Sequence, residues 1–250
     1  MPNKSKIAIS VDAPLLHIID SKVDGVVIRS RSQAIEYFLR KGLREEMLST
    51  AAIMIKGEHQ AHALSSFKGK TLLEQQLEFF RKSGFSTVYI VTQHTKHSTQ
   101  LLDICSRAQI SVDIIESEAK GNAKALSSLK SRIKGMFVVM SGDTYNNFDI
   151  SKMMNKHGSL NSLATMGLMT RAHTTGYGTA ILDGDYVVDF QEKPKHSSTT
   201  IVNAGIYLFK PEIFEMLENA DSLERDVFPK LARMKQLVGF FTYGEYEHFG

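Results

Sequence analysis

The chain has 250 residues, 42% of them hydrophobic, and a formal net charge of +3. That allows one large core, or a large and a small one, and it permits a nucleic-acid partner without requiring one. The single cysteine, Cys105, excludes a disulfide framework or a thiolate metal cage and fits a reducing cytoplasm. No signal-peptide pattern follows Met1, and no apolar run nears the roughly 18 residues of a membrane span, so no membrane partner is expected.

Taken in order, Lys4–Val11 alternates strictly, with Lys4, Lys6, Ala8 and Ser10 on one face and Ser5, Ile7, Ile9 and Val11 on the other. This reads as a short strand with one apolar face. Asp12 then caps a helix with Pro14 in its first turn, Gly25 breaks it, and Ser30-Arg31-Ser32-Gln33 opens a second helix as a capping box. A strand–helix–helix unit this small rarely folds alone, and its lone strand is an unpaired edge, so pairing of two copies is expected. Two paired strands would present Lys4, Lys6, Ala8 and Ser10 from both chains as a ribbon that fits a major groove.

Through Ile7-Ala8-Ile9-Ser10-Val11-Asp12 and Arg29-Ser30-Arg31-Ser32-Gln33-Ala34-Ile35, residues 4–46 resemble the ribbon-helix-helix transcription factors. The resemblance implies an obligate dimer on double-stranded DNA. Lys6, Ala8 and Ser10 would read bases, with Lys4 on the same face, and Ser30, Arg31 and Ser32 would touch phosphates. The competing reading is an amphipathic dimerisation arm with solvated lysines. Eight basic against six acidic residues in positions 1–48 make charge no proof of DNA binding. The boundary is placed at 48, with a second domain over 49–250.

In that second domain the pattern predicts a strand at Ala51–Ile55, a polar loop at Lys56–Lys70 and an amphipathic helix at Thr71–Ser83. A strand at Thr87–Thr92, a helix near Ser98–Arg107, a strand at Val112–Ile115 and a helix at Asn122–Ile133 follow. Met136–Met140 reads as a strand buried on both faces, with Asp143 just past its carboxyl end. Alternation at this spacing predicts a parallel sheet. Beyond Asp143 a helix near Ile150–Lys156 precedes strands near Leu163–Met169, Gly178–Leu182, Val187–Gln191 and Val202–Phe209. Asp183-Gly184-Asp185 forms a hairpin turn, helices follow Pro211 and span Ser222–Arg233, and a last strand lies near Leu237–Tyr243. The fold class expected is therefore α/β: an N-terminal β-α-α unit and a Rossmann-like domain with a mixed sheet.

Four blocks, Ser141-Gly142-Asp143, Tyr177-Gly178, Glu192-Lys193-Pro194 and Val202-Asn203-Ala204-Gly205-Ile206-Tyr207, with a weaker one at Gly121-Asn122-Ala123, resemble the sugar-phosphate nucleotidyltransferases over residues 51–250. The resemblance implies that Asp143 is a metal-binding carboxylate and that Gly178 allows close backbone approach to the sugar. It makes Glu192 and Asn203 ligands for sugar hydroxyls and Lys193 a ligand for the sugar phosphate. Gly57 and Asn122 join these as ligand-binding candidates, and magnesium is implied if a phosphorylated ligand binds.

The chain also departs from that family's pattern. The Gly-rich triphosphate loop with its Arg is replaced by Lys56-Gly57-Glu58-His59-Gln60-Ala61-His62, where only Gly57 matches and Glu58 adds a negative charge. Lys68 is the candidate to stand in for the loop's lysine, although no Pro follows it. His248 falls where a second metal-binding Asp belongs, and imidazole is a poor ligand for magnesium. The pairs His59/His62 and His94/His97 have zinc-compatible spacing but no third ligand nearby in sequence, and read as surface or loop histidines. The methionines read as core filler, and Lys120, Lys124, Lys130 and Lys134 as a solvated face.

The sequence is therefore expected to encode a dimeric or tetrameric DNA-binding regulator, whose catalytically degenerate domain senses a nucleotide, sugar phosphate or sugar nucleotide. Two alternatives stand beside it. One is a divergent, active sugar-phosphate nucleotidyltransferase that represses its own gene, and the other a large domain serving only as an oligomerisation scaffold.

Overall fold

The computed structural model describes residues 8–25, 28–46, 49–241 and 244–249, without the side chains of 40–46. The chain divides into two compact units, Met1–Met47 and Leu48–Gly250.

In the first unit the described elements are helices α1 (Ala13–Asp20) and α2 (Arg31–Glu46). Asp12 caps α1, its Oδ1 accepting the Leu15 N–H at 2.7 Å, and Gly25 takes a left-handed φ of +74°. Ser30 Oγ accepts the Gln33 N–H at 3.2 Å, while Gln33 Oε1 accepts the Arg29 N–H. Among the described side chains of this unit only Ala34 is buried, whereas Ile9, Leu15, Ile18, Tyr37, Phe38 and Leu39 are exposed. The expected ribbon strand is not seen: Lys4 and Lys6 lie outside the described residues, and Ala8 to Val11 belong to no strand.

The second unit begins with β1 (Thr50–Met54), followed by a 3₁₀ turn at Gly57–His59, α3 (Gln60–Ala63), β2 (Ser66–Phe67) and β3 (Lys70–Thr71). Then come α4 (Leu72–Lys82), β4 (Thr87–Thr92), α5 (Ser98–Arg107), β5 (Ser111–Glu116), α6 (Asn122–Ser127), β6 (Phe137–Ser141) and β7 (Thr144–Asn146). The chain continues through α7 (Ile150–Leu160), β8 (Ala164–Thr170), β9 (Thr179–Asp183), β10 (Tyr186–Gln191) and β11 (Ile201–Phe209). It closes with α8 (Ile213–Leu217), a π-helical turn at Leu223–Val227, α9 (Phe228–Arg233), β12 (Leu237–Phe241) and β13 (Tyr246–His248).

Nine strands form one mixed sheet in the order β5-β4-β1-β6-β11-β8-β12-β10-β9. The first four are parallel, and β11 enters antiparallel to both β6 and β8. The strand β6 is central, and its alternating residues serve two cores: Phe137 and Val139 pack on one face, Val138 and Met140 on the other. This is why its sequence is a continuous apolar run rather than an alternation.

The helix expected over Asn122–Ile133 stops at Ser127. Ser127 and Ser128 turn their hydroxyls back onto the carbonyls of Lys124 and Ala125, so the side chains compete with the backbone ladder. The apolar spacing survives in the turns that follow, with Leu126, Leu129 and Ile133 all buried.

Candidate active site

Strands β1 and β6 lie side by side and parallel, so their carboxyl ends leave the sheet at one edge, where an open α/β sheet offers a crevice. The Gly142 N–H donates to the Met54 carbonyl at 2.8 Å and locks the two departing turns together. A cavity of about 180 Å³ opens there, and Asn122, Asp143, Gly178, Glu192, Lys193 and Asn203 all line it. Segments far apart in sequence thus meet at one place. The other expected ligand residue, Gly57, is not in the lining. Its N–H is taken by Gln93 Oε1, and its neighbours Lys56 and His59 reach the cavity instead.

One wall is built by β9, β10 and β11. A register shift in β11 between Asn203 and Tyr207 puts Gly205 at a φ of +67°, where a Cβ would sit 3.1 Å from Thr144 Oγ1. Asn203 spans this bulge: its Oδ1 accepts the Gly205 N–H at 2.9 Å and its Nδ2 donates to the Tyr207 hydroxyl at 2.7 Å. Gly178 is required for space, since a Cβ there would stand 2.5 Å from Phe190 Cζ and 2.8 Å from Glu192 Oε2. Lys193 holds a φ of +46°, an uncommon conformation for a residue with a side chain, and it projects at the cavity rim.

The sequence reading missed Glu224. It sits in the π-helical turn, where Asn122 Nδ2 donates to both of its carboxylate oxygens at 2.9–3.0 Å and Ser222 Oγ donates at 2.9 Å. Burial, then this second carboxylate, hold the Glu192 carboxyl above its ordinary pKa. The wall therefore presents two acids, one of them partly desolvated, which suits acceptance of hydrogen bonds from a polyhydroxylated ligand. A π-helical turn has no sequence period to announce it, so Glu224 reads as one more surface acid.

The opposite wall comes from the ends of β1 and β6 and from β13. The strand β13 pairs antiparallel with β7, placing His248 opposite Thr144, and the Phe249 N–H donates to the Asp143 carbonyl at 2.9 Å. His59 Nδ1 lies 3.1 Å from Asp143 Oδ2, and His248 Nε2 lies 4.0 Å from the same oxygen. His59 is thus more than a solvated loop histidine: it pairs with Asp143, while its ring also meets that of His62 edge-on, with centroids 5.3 Å apart. Lys56, Lys120 and Lys193 add three cations at the cavity lining. Lys68, the expected stand-in for the loop lysine, pairs with Glu245 and lies against Phe67 and Tyr145, outside that lining.

Magnesium takes hard oxygen donors in near-octahedral geometry. The set here is one carboxylate faced by two imidazoles, so the protein donors at Asp143 do not fit that ion.

The DNA-contact candidates are placed less favourably. Ser10 and Ala8 are exposed on non-strand backbone, Ser30 caps its own helix, and Ser32 is exposed. Arg31 forms a bidentate pair with Asp20, with both contacts at 2.7 Å, so its guanidinium is already engaged.

The mixed sheet with its crevice at the strand ends defines a Rossmann-like α/β domain of the kind that binds nucleotides. The model of the nucleotidyl transferase family matches residues 58–245, and the chain belongs to that family. A Sulfolobus acidocaldarius protein named for mannose-1-phosphate guanylyl transfer is 29% identical over 72% of this chain and 51% of its own length. The Aneurinibacillus thermoaerophilus D-glycero-alpha-D-manno-heptose 1-phosphate guanylyltransferase is 28% identical over 72% of this chain and 79% of its own. Among solved structures, HddC from Yersinia pseudotuberculosis superposes with a TM-score of 0.68 at 22% identity, covering 80% of this chain and 93% of its own. This chain spans about half the length of the Sulfolobus relative.

These matches overturn the expectation of a DNA-binding regulator carrying a dead transferase domain, because the relatives are named as sugar-phosphate transferases. The physical reason for the misreading lies in the loop after β1. Glu58, read as a charge that would repel phosphates, has a 74% exposed side chain and is not in the cavity lining, whereas Lys56 is. Among the described residues no helix is long and apolar enough to cross a membrane.

Proposed function

We propose that the chain is an active sugar-1-phosphate nucleotidyltransferase, with a purine nucleoside triphosphate such as GTP and a mannose- or heptose-type sugar 1-phosphate as the substrates to test first. The guanylyl donor and these sugars come from the names of the relatives. In the reaction an oxygen of the sugar phosphate attacks the α-phosphorus of the triphosphate. The bond from the α-phosphorus to the β-phosphate oxygen breaks, and pyrophosphate leaves with the electron pair.

The observation that carries this reading is the convergence of Gly178, Glu192, Lys193 and Asn203 on the same cavity as Asp143 and Asn122. Glu192 and Asn203 accept from and donate to sugar hydroxyls, with Gly178 letting the ring approach the backbone. Lys193 faces the sugar phosphate and offsets charge as the two phosphates come together. Lys56 and Lys120 serve the triphosphate in place of the missing arginine, as point charges rather than a bidentate fork. The test is to incubate the full chain with each nucleoside triphosphate and a panel of sugar 1-phosphates, following pyrophosphate release and the sugar nucleotide by mass spectrometry. A product with GTP, lost in Lys193→Ala, is the expected outcome. No product with any pair under any divalent cation would sink the reading.

For the first unit the same reading includes pairing of two copies. Among the described side chains, six large apolar ones are exposed in this unit against four in the far larger second unit, and Ala34 is its one buried residue. A second copy would supply the missing core. Light scattering of the full chain should give a dimer that Ile18→Glu with Phe38→Glu dissociates; an unchanged mass would exclude this surface.

A further inference from the structure

We infer that Asp143, His59 and His248 form a site for a borderline divalent transition metal, manganese, cobalt or zinc, in preference to magnesium. The inference concerns this chain's own donors and does not depend on which nucleotide or sugar the cavity takes.

Three observations carry it. First, the donors come from three separate elements and meet on one oxygen: His59 Nδ1 stands 3.1 Å and His248 Nε2 4.0 Å from Asp143 Oδ2. Imidazole and carboxylate ligands each about 2.1 Å from a tetrahedral or octahedral metal are themselves roughly 3.0–3.4 Å apart. His59 and Asp143 already have that separation. His248 must close by about 0.6 Å or a little more to reach the same tetrahedral limit. Among the described residues no three such groups stand at ligand spacing as they are, so the site is a two-donor seat that His248 completes.

Second, the part that must move sits on a short element, held by a ring contact to Tyr177 with centroids 5.8 Å apart and by the Phe249 N–H on the Asp143 carbonyl. His248 ends the three-residue strand β13, which pairs only with β7, and its side chain is 30% exposed. A shift of this size needs a side-chain rotation and leaves the nine-stranded sheet untouched. Third, a carboxylate stands near the outer nitrogen of His59. If Nδ1 ligates, Nε2 keeps its proton, and Glu58 Oε1 lies 3.8 Å from it. A carboxylate behind a ligating imidazole fixes its tautomer and raises its basicity. At 3.8 Å the two are not hydrogen-bonded, so Glu58 would have to close by about 0.8 Å to take that role.

The chemistry then selects the ion. Two imidazoles and one carboxylate suit manganese, cobalt or zinc, and affinity for nitrogen donors rises along that row far above magnesium. The remaining positions face the cavity and its lysines, where ligand phosphate oxygens would enter.

The experiment is cobalt(II) titration of the full chain alone, followed by visible absorption. One equivalent should bind with the d–d bands of mixed nitrogen and oxygen ligation, and a 100-fold excess of magnesium should not bleach them. His59→Ala and His248→Ala should each weaken cobalt binding about 10- to 100-fold, comparable to disrupting a metal's supporting shell. His248→Asp should restore competition by magnesium. A measurement free of variants is manganese broadening of histidine ring proton signals, expected to be strongest for His59 and His248 and to reach their neighbour His62 at one equivalent. Bands that persist in Asp143→Ala, magnesium displacing cobalt at equal concentration, or no broadened histidine would each overturn the inference. Because no nucleotide is present, an intact metal site in a chain without transferase activity would refute the functional reading alone.

Discussion

The two walls of the cavity are made differently. The wall of β9, β10 and β11 is part of the large sheet, and its polar groups are tied to one another: Asn203 to Gly205 and Tyr207, Asn122 to Glu224. The wall of His59, Asp143 and His248 sits on a 3₁₀ turn, a strand end and a three-residue strand. The first wall is a fixed template of hydrogen-bond acceptors, whereas the second is an arrangement of charges on short elements. A rigid template suits the stereochemistry of a sugar, and adjustable charges suit a triphosphate that must change geometry as it reacts.

The largest effect should come from the lysine beside the first wall. Lys193→Ala removes the one lysine on the sugar side of the lining and should lower kcat/KM by about 10²- to 10³-fold, the usual scale for an electrostatic contact to developing phosphate charge. Its exposed side chain packs into no core, so the melting temperature should hold. If KM alone rose while kcat stood still, Lys193 would be a binding residue only, and the contrast between the walls would weaken.

A comparison of the walls by pH needs the scaffold's own titration first. His157 on α7 is fully buried, with Nδ1 2.8 Å from Thr165 Oγ1 on β8, and burial, helped by Lys210, pushes its pKa down to about 4. Unfolded, it titrates near the ordinary value of 6.5. Between these values the unfolded chain binds the extra proton, so stability is fully present above about 6.5 and falls as the pH drops toward 4, by about 3 kcal/mol. Urea denaturation of the wild type at pH 7 and pH 4.5 should reveal most of this loss, and His157→Gln should flatten it. A wild-type stability that does not change over that range would show that the imidazole is solvated.

A smaller effect tests whether the first wall is the fixed one. Asn122→Ala strips Glu224 of two hydrogen bonds and leaves the Leu223 N–H without its acceptor. Freed to move beside Glu192, Glu224 should raise KM for the sugar phosphate about tenfold, the cost of one or two lost hydrogen bonds. KM for the triphosphate should change little. Equal changes in both would mean that the walls are not separate recognition surfaces.

How far the sequence could be read follows the same division. The apolar run Phe137–Met140 and the alternations around it located the central strands within a residue or two, because strands in a two-sided core have no other way to be written. Gly178, Glu192 and Asn203 were legible as blocks because each sits at a fixed place on a strand or its end. His59 and Glu224 were not, and His248 was legible only as the residue standing where the resemblance puts an Asp. Each acquires its meaning from a partner 84, 105 or 102 positions away, and they sit on a 3₁₀ turn, a three-residue strand and a π-helical turn that carry no period. The apolar spacing of the first unit's helices was legible, and the structure leaves Leu15, Ile18, Phe38 and Leu39 exposed; of the expected strand, residues 4–7 lie outside the described residues and 8–11 form none.

The smallest effect is expected at Lys68, where sequence position and spatial position disagree most sharply. By order along the chain, Lys68 follows the loop after β1 and could replace the lysine missing from it. In the structure its ammonium pairs with Glu245 and lies 5.2–5.3 Å from the rings of Phe67 and Tyr145, outside the cavity lining. Reaching a triphosphate would require breaking the ion pair and both aromatic contacts. The hairpin of β2 and β3 also carries it at a left-handed φ of +50°, so its direction is set by the turn. Lys68→Ala should therefore change kcat and KM for the triphosphate by less than twofold, while Lys56→Ala, whose side chain lines the cavity, should raise that KM about tenfold, as losing a charge-assisted contact does. The reverse ranking would mean that the β2–β3 hairpin swings over the site during turnover, and that the second wall includes a moving element.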